Sequence, residues 1–151
     1  DGAAYGTSNR TWREIADLPV GLTQASAVVM GGRAYVWGEY IEGVPCPAGG
    51  GCSSDTFLVY DPGDDSWTSL PLPSEVGFDV NAIQAGEGPP RLTSDGQRVI
   101  AAARDTSVSG QDSSAVTELA YDPAADSWSA LPVNTLRLST GRALVGHDGV
   151  L

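Results

Sequence analysis

Apolar and polar side chains follow a short period along this chain, and turn formers bound each run. TQASAVVM (23–30) and RAYVWG (33–38) are joined by Gly31-Gly32, and DTFLVYD is followed by the corner PGDDS and then WTSLPLP. No long stretch places apolar residues at helical spacing, so the pattern predicts strands. Four antiparallel strands are expected, over residues 23–30, 33–38, 55–61 and 66–71, with a loop from Glu39 to Ser54 between the second and third.

The same order returns downstream. Residues 79–85 or 90–94 supply a first strand, Asp95-Gly96 a turn, QRVIAAAR a second strand, AVTELAYD a third and SWSALP a fourth. STGRALVG and the turn at Asp148-Gly149 then open another unit. The phrase YDPGDDSW at residues 60–67 recurs as YDPAADSW at 121–128, and a more divergent copy, YGTSNRTW, stands at 5–12. Trp12, Trp67 and Trp128 are 55 and 61 residues apart. The expected division is a half unit over 1–22, full units over 23–73 and 74–133, and a half unit over 134–151.

In the corner phrase, Pro62 fixes its own backbone angle while Asp61 or Asp65 can accept bonds from nearby backbone N–H groups. Two large aromatics are thereby brought onto adjacent strands, where they can pack between neighbouring sheets. Tyr5, Trp12, Tyr60, Trp67, Tyr121 and Trp128 are accordingly read as core and corner residues.

The order GGRAYVWG … FLVYDPGDDSWTSLPLP resembles the Kelch repeat, whose period is about 50 residues. The resemblance covers nearly the whole chain. It implies an all-β fold of four-stranded antiparallel blades of a Kelch-like β-propeller, with two complete blades and two half blades. The family's double glycine at the end of the second strand stands here as Gly38-Glu39 and as Ala103-Arg104. Closure of the two halves on each other would give a ring of three blades, below the usual range of about four to eight. The expectation is therefore a longer propeller or, alternatively, self-association in which copies complete each other's half blades.

Charge narrows the partners. Eight arginines, no lysine and 19 acidic residues give a net charge of −11, which repels phosphate backbones and anionic lipid. Nucleic acid and membrane insertion are excluded as expectations, the latter because every apolar run is far shorter than about 20 residues. Cys46 and Cys52 in CPAGGGC read as a loop disulfide, which would place the protein in an oxidising compartment, extracellular or periplasmic. Asn9 in NRT is a formal glycosylation acceptor.

Long connections on a rigid scaffold are where recognition lives. In this strand order the stretches 39–54, 71–79, 105–114 and 132–140 emerge on one rim, carrying Glu39, Tyr40, Glu42, Glu75, Asp79, Arg104, Asp105, Asp112 and Arg137. Glu39, Tyr40, Arg104, Asp105 and Arg137 are the expected ligand-binding set, for a noncatalytic module that binds a protein or a glycan. The alternatives are a fragment of a carbohydrate-active propeller enzyme, since the resembled family includes copper oxidases of the galactose oxidase type and a sialic acid mutarotase, and a self-assembling blade unit. No catalytic residue, cofactor or metal is expected. Copper chemistry needs several imidazole and phenol ligands, and His147 is the chain's single histidine. The corner GDDS lacks the spacing of a calcium loop.

Overall fold

The computed structural model describes residues 2–6, 8–45, 51–73, 89–104 and 116–131. Ten strands are present among them: β1 (Gly2–Gly6), β2 (Thr11–Ile15), β3 (Leu22–Met30), β4 (Arg33–Pro45), β5 (Gly51–Asp61), β6 (Ser66–Leu70), β7 (Arg91–Ser94), β8 (Val99–Arg104), β9 (Val116–Asp122) and β10 (Ser127–Ala130). They form a two-stranded hairpin, β1-β2, and two four-stranded sheets in the orders β3-β4-β5-β6 and β7-β8-β9-β10. Every neighbour pair is antiparallel.

Local chemistry explains the joints. Gly31 and Gly32 sit at φ 58° and 78° between the paired Met30 and Arg33, a two-residue hairpin turn that needs positive φ at both positions. Asp61 Oδ1 accepts the Gly63 N–H at 2.9 Å, and Asp122 Oδ1 accepts the Ala124 N–H at 2.8 Å, so both corners begin with the same side-chain-stabilised turn.

Two expectations change. The loop expected from Glu39 to Ser54 is mostly strand: β4 and β5 remain paired through Tyr40↔Ser54, Ile41↔Ser53 and Glu42↔Cys52, then, after a register shift, Pro45↔Gly51. The run YIEGV extends the aromatic and β-branched residues of RAYVW, and such residues suit a ladder better than a loop. In the second sheet the first strand is the later of the two expected ranges, beginning at Arg91; residues 79–85 lie outside the described residues, as does the half unit over 134–151.

Alternation within each strand decides which face packs where. Tyr35, Trp37 and Phe57 share one face of the first sheet and join Val99, Ala101, Leu119, Tyr121 and Trp128 of the second sheet in one buried cluster, with Met30 at its margin. Aromatic rings dominate it. Phe57 meets Tyr121 edge to face at 5.2 Å and lies 5.2 Å from Trp128, which in turn meets Trp37 at 5.7 Å. Leu58 and Tyr60 point to the opposite face, where Arg13 of the hairpin reaches the Tyr60 hydroxyl at 3.3 Å. The hairpin, the first sheet and the second sheet thus follow one another in space as they do in sequence.

Candidate interaction site

The repeated phrase builds the joint between successive sheets. In both full units the tyrosine hydroxyl donates to the aspartate two residues before the tryptophan: Tyr60 to Asp65, and Tyr121 to Asp126. Those aspartates take the left-handed backbone, at φ 54° and 48°, and Arg10 takes it at φ 57° in the hairpin. The three copies are therefore one corner geometry, whatever side chain stands there.

Each seated tryptophan then donates backward along the chain. Trp67 Nε1 bonds the carbonyl of Ala16 at 2.8 Å, and Trp128 Nε1 bonds that of Pro71 at 2.8 Å. Both acceptors lie four residues past the preceding tryptophan. Asp65 strengthens the first joint by accepting the Ala16 N–H at 3.1 Å and facing Arg13 at 3.6 Å. Its carboxyl is held below the usual range by the Tyr60 hydroxyl first, then by the Ala16 N–H, with Arg13 adding to both. The Tyr121 hydroxyl shifts the other way. Burial raises its pKa, and the Asp126 carboxylate raises it further.

Tyr60, Tyr121 and Trp128 are buried and Trp67 is half-buried. Tyr5 and Trp12 depart from the expected core role: they stack at 5.2 Å, yet are 45% and 70% exposed, because no sheet covers that face of the hairpin among the described residues.

At the opposite end of the first sheet, β4 and β5 outgrow their neighbours. Among the described residues, β3 pairs with β4 only as far as Tyr40, and β6 pairs with β5 only from Phe57, while the β4-β5 ladder continues to Pro45↔Gly51. A two-stranded arm therefore projects from the sheet, with Glu39 and Tyr40, both partly exposed, at its base. Asp55 is paired across from Glu39. Burial raises the Asp55 carboxyl above its usual range; the nearby Trp37 indole opposes the rise and Glu39 adds to it. Neither Trp37 Nε1 nor Asp55 Oδ2 has a hydrogen-bond partner of good geometry, although both are buried.

Of the other expected rim residues, Arg104 ends β8 opposite Val116, whereas Asp105 and Arg137 lie outside the described residues. So do Glu75, Asp79 and Asp112. Glu42 and Cys52 are backbone partners on the arm; Cys46, and with it the expected disulfide, lies outside the described residues. Sequence reasoning missed Asp55 and Glu118. Asp55 stands two residues before the inward-facing Phe57, and Glu118 two before Leu119's neighbour Ala120, so strand alternation was the signal that could have placed both on packed faces.

Comparison with known proteins agrees with this architecture. Residues 21–74 match the family model of the Kelch motif, a range that spans β3 to β6. Over 70 residues the chain is 36% identical to an F-box/kelch-repeat protein of Arabidopsis thaliana; the match covers 46% of this chain and 18% of that protein. With the motif matched over the first sheet, and the same strand order and corner built again over the second, the chain carries a Kelch motif over residues 21–74, and the similarity supports a Kelch-repeat family for it.

Proposed function

We propose that the chain is a noncatalytic interaction module that binds a protein through the rim carrying the β4-β5 arm. The observation that carries this reading is the arm itself. Two strands that run past both neighbours leave backbone N–H and C=O groups along their outer edges, a surface suited to adding a strand of a partner. Glu39 and Tyr40 at its base, with Arg104, Asp105 and Arg137 from the same rim, would set specificity around that edge. Cys46 and Cys52 fit the reading as a bridge that stiffens the tip, which would place the protein outside the reducing cytosol.

The test is affinity capture with the wild-type chain beside Tyr40→Ala and Arg104→Ala variants, each first checked for an unchanged Tm. A protein retained by the wild type and lost by the rim variants supports the reading. Retention by all three places binding elsewhere, and retention of a glycan in a glycan panel, with no protein, favours the carbohydrate alternative. A second reading, association between copies of the chain, is favoured by the exposed Tyr5–Trp12 pair.

A further inference from the structure

We propose that Asn9 is a modification site, the acceptor of an N-linked oligosaccharide on its amide nitrogen. The site rests on the placement outside the reducing cytosol proposed above, and not on the β4-β5 arm.

Of the chain's three asparagines, Asn9 alone is followed two residues on by a hydroxyl side chain, Thr11, with a residue other than proline, Arg10, between them. A bulky sugar also requires that pattern to stand at the surface. The structure puts it at the tip of a corner. The Arg10 N–H closes the turn on the Gly6 carbonyl at 2.7 Å, and Ser8, Asn9, Arg10 and Thr11 are all exposed. That exposure belongs to the corner and does not depend on what lies beside the hairpin. Asn9 stands three residues before Trp12, as Asp64 does before Trp67 and Ala125 before Trp128. Asp64 and Ala125 are exposed as well, in corners whose Tyr60 and Tyr121 are buried between sheets.

The amide is also oriented. In the two full units the corner opens on an aspartate, Asp61 or Asp122, whose carboxylate accepts a backbone N–H of the turn; the hairpin has Gly6 at that place. Asn9 fills the space this leaves, since a Cβ on Gly6 would come within 2.3 Å of Asn9 Oδ1. There Oδ1 accepts the Thr11 N–H at 3.3 Å. The oxygen therefore faces the turn, and Nδ2 lies farther out, 3.5 Å from the same point. In the reaction Nδ2 bonds the anomeric carbon of an oligosaccharide carried on a polyprenyl diphosphate. The bond from that carbon to the diphosphate oxygen breaks, the lipid diphosphate leaves with the bonding pair, and one amide proton passes to a base of the transferase.

The test is secretion of the whole chain behind a cleavable leader from a eukaryotic cell, followed by mass spectrometry before and after peptide N-glycosidase. Wild type and Thr11→Ser should carry a sugar mass that the glycosidase removes, converting Asn9 to aspartate. Asn9→Gln and Thr11→Ala should have the mass of the bare chain. Because both positions are exposed, all four should share one circular dichroism spectrum. A folded, secreted wild type without sugar overturns the site, as does sugar retained by Asn9→Gln. Thiol titration of the same material separates the site from the reading beneath it: two free thiols overturn the Cys46–Cys52 bridge, whatever Asn9 carries.

Discussion

Trp128→Phe isolates the joint between the two sheets. The substitution keeps an aromatic ring beside Phe57 and Tyr121, but removes the indole N–H that bonds the Pro71 carbonyl at 2.8 Å. Trp128 is 6% exposed, so water reaches the vacated acceptor poorly. Leaving such a carbonyl unpaired costs about 1–3 kcal/mol. The smaller ring also opens a space on the order of 40 Å³, worth about 1 kcal/mol at ~24 cal/mol per Å³ if the site does not relax. Together these predict a loss of about 2–4 kcal/mol in urea unfolding followed by circular dichroism. Trp12→Phe, measured in dilute solution, should stay within about 0.5 kcal/mol of the wild type, because Trp12 is 70% exposed and a phenyl ring can keep the stack on Tyr5. Equal losses in the two variants would refute the assignment, since the donors would then differ in exposure without differing in energetic role.

Three further outcomes follow from particular side chains. Asp65 has its pKa lowered by the folded structure, so its contribution is present at neutral pH and is lost as pH falls from about 3.9 through its folded value; Asp65→Asn should remove that part of the acid transition, and an unchanged acid midpoint would exclude the role. Tyr121 has its pKa raised by burial and then by Asp126, so stability should decline as pH rises above about 10, where the unfolded phenol ionises and the folded one does not. Tyr121→Phe should flatten that alkaline limb, read as unfolding against phenolate absorbance. Glu118 is 8% exposed with Oε1 unpaired, three residues before Tyr121, where the first sheet has Phe57 three residues before Tyr60. Glu118→Leu should raise stability by on the order of 1 kcal/mol, and a fall in Tm would show that its carboxylate is needed.

Much of the fold was legible because the relevant chemistry is local. Gly31-Gly32, Asp95-Gly96 and the YDP corners announce their turns, and the short period between them announces strands. The arm was not legible, because Gly43 and Pro45 read as loop residues, while the pairing that keeps them in a ladder depends on residues 51–53 across the strand. The phrase pointed to aromatic packing but not to its direction. That Trp67 and Trp128 bond carbonyls 51 and 57 residues upstream is a property of the packed sheets, and no window of sequence contains both ends. The exposure of Trp12 was hidden for the same reason, since its phrase keeps the Tyr-to-Trp spacing of its buried counterparts, and what covers a face is not written in the phrase.

The backward direction of the indole bonds has a consequence for how such a chain assembles. Synthesis delivers the acceptor first: Ala16 emerges before Trp67, and Pro71 before Trp128. Each new blade can therefore be completed against a surface already made and does not wait for one still to come, so order can grow from the N-terminal side by nearest-neighbour steps. A lesion in one joint would leave the blades before it able to form and strand those after it, a polarity that neither the strand order nor the near-symmetry of the repeats reveals.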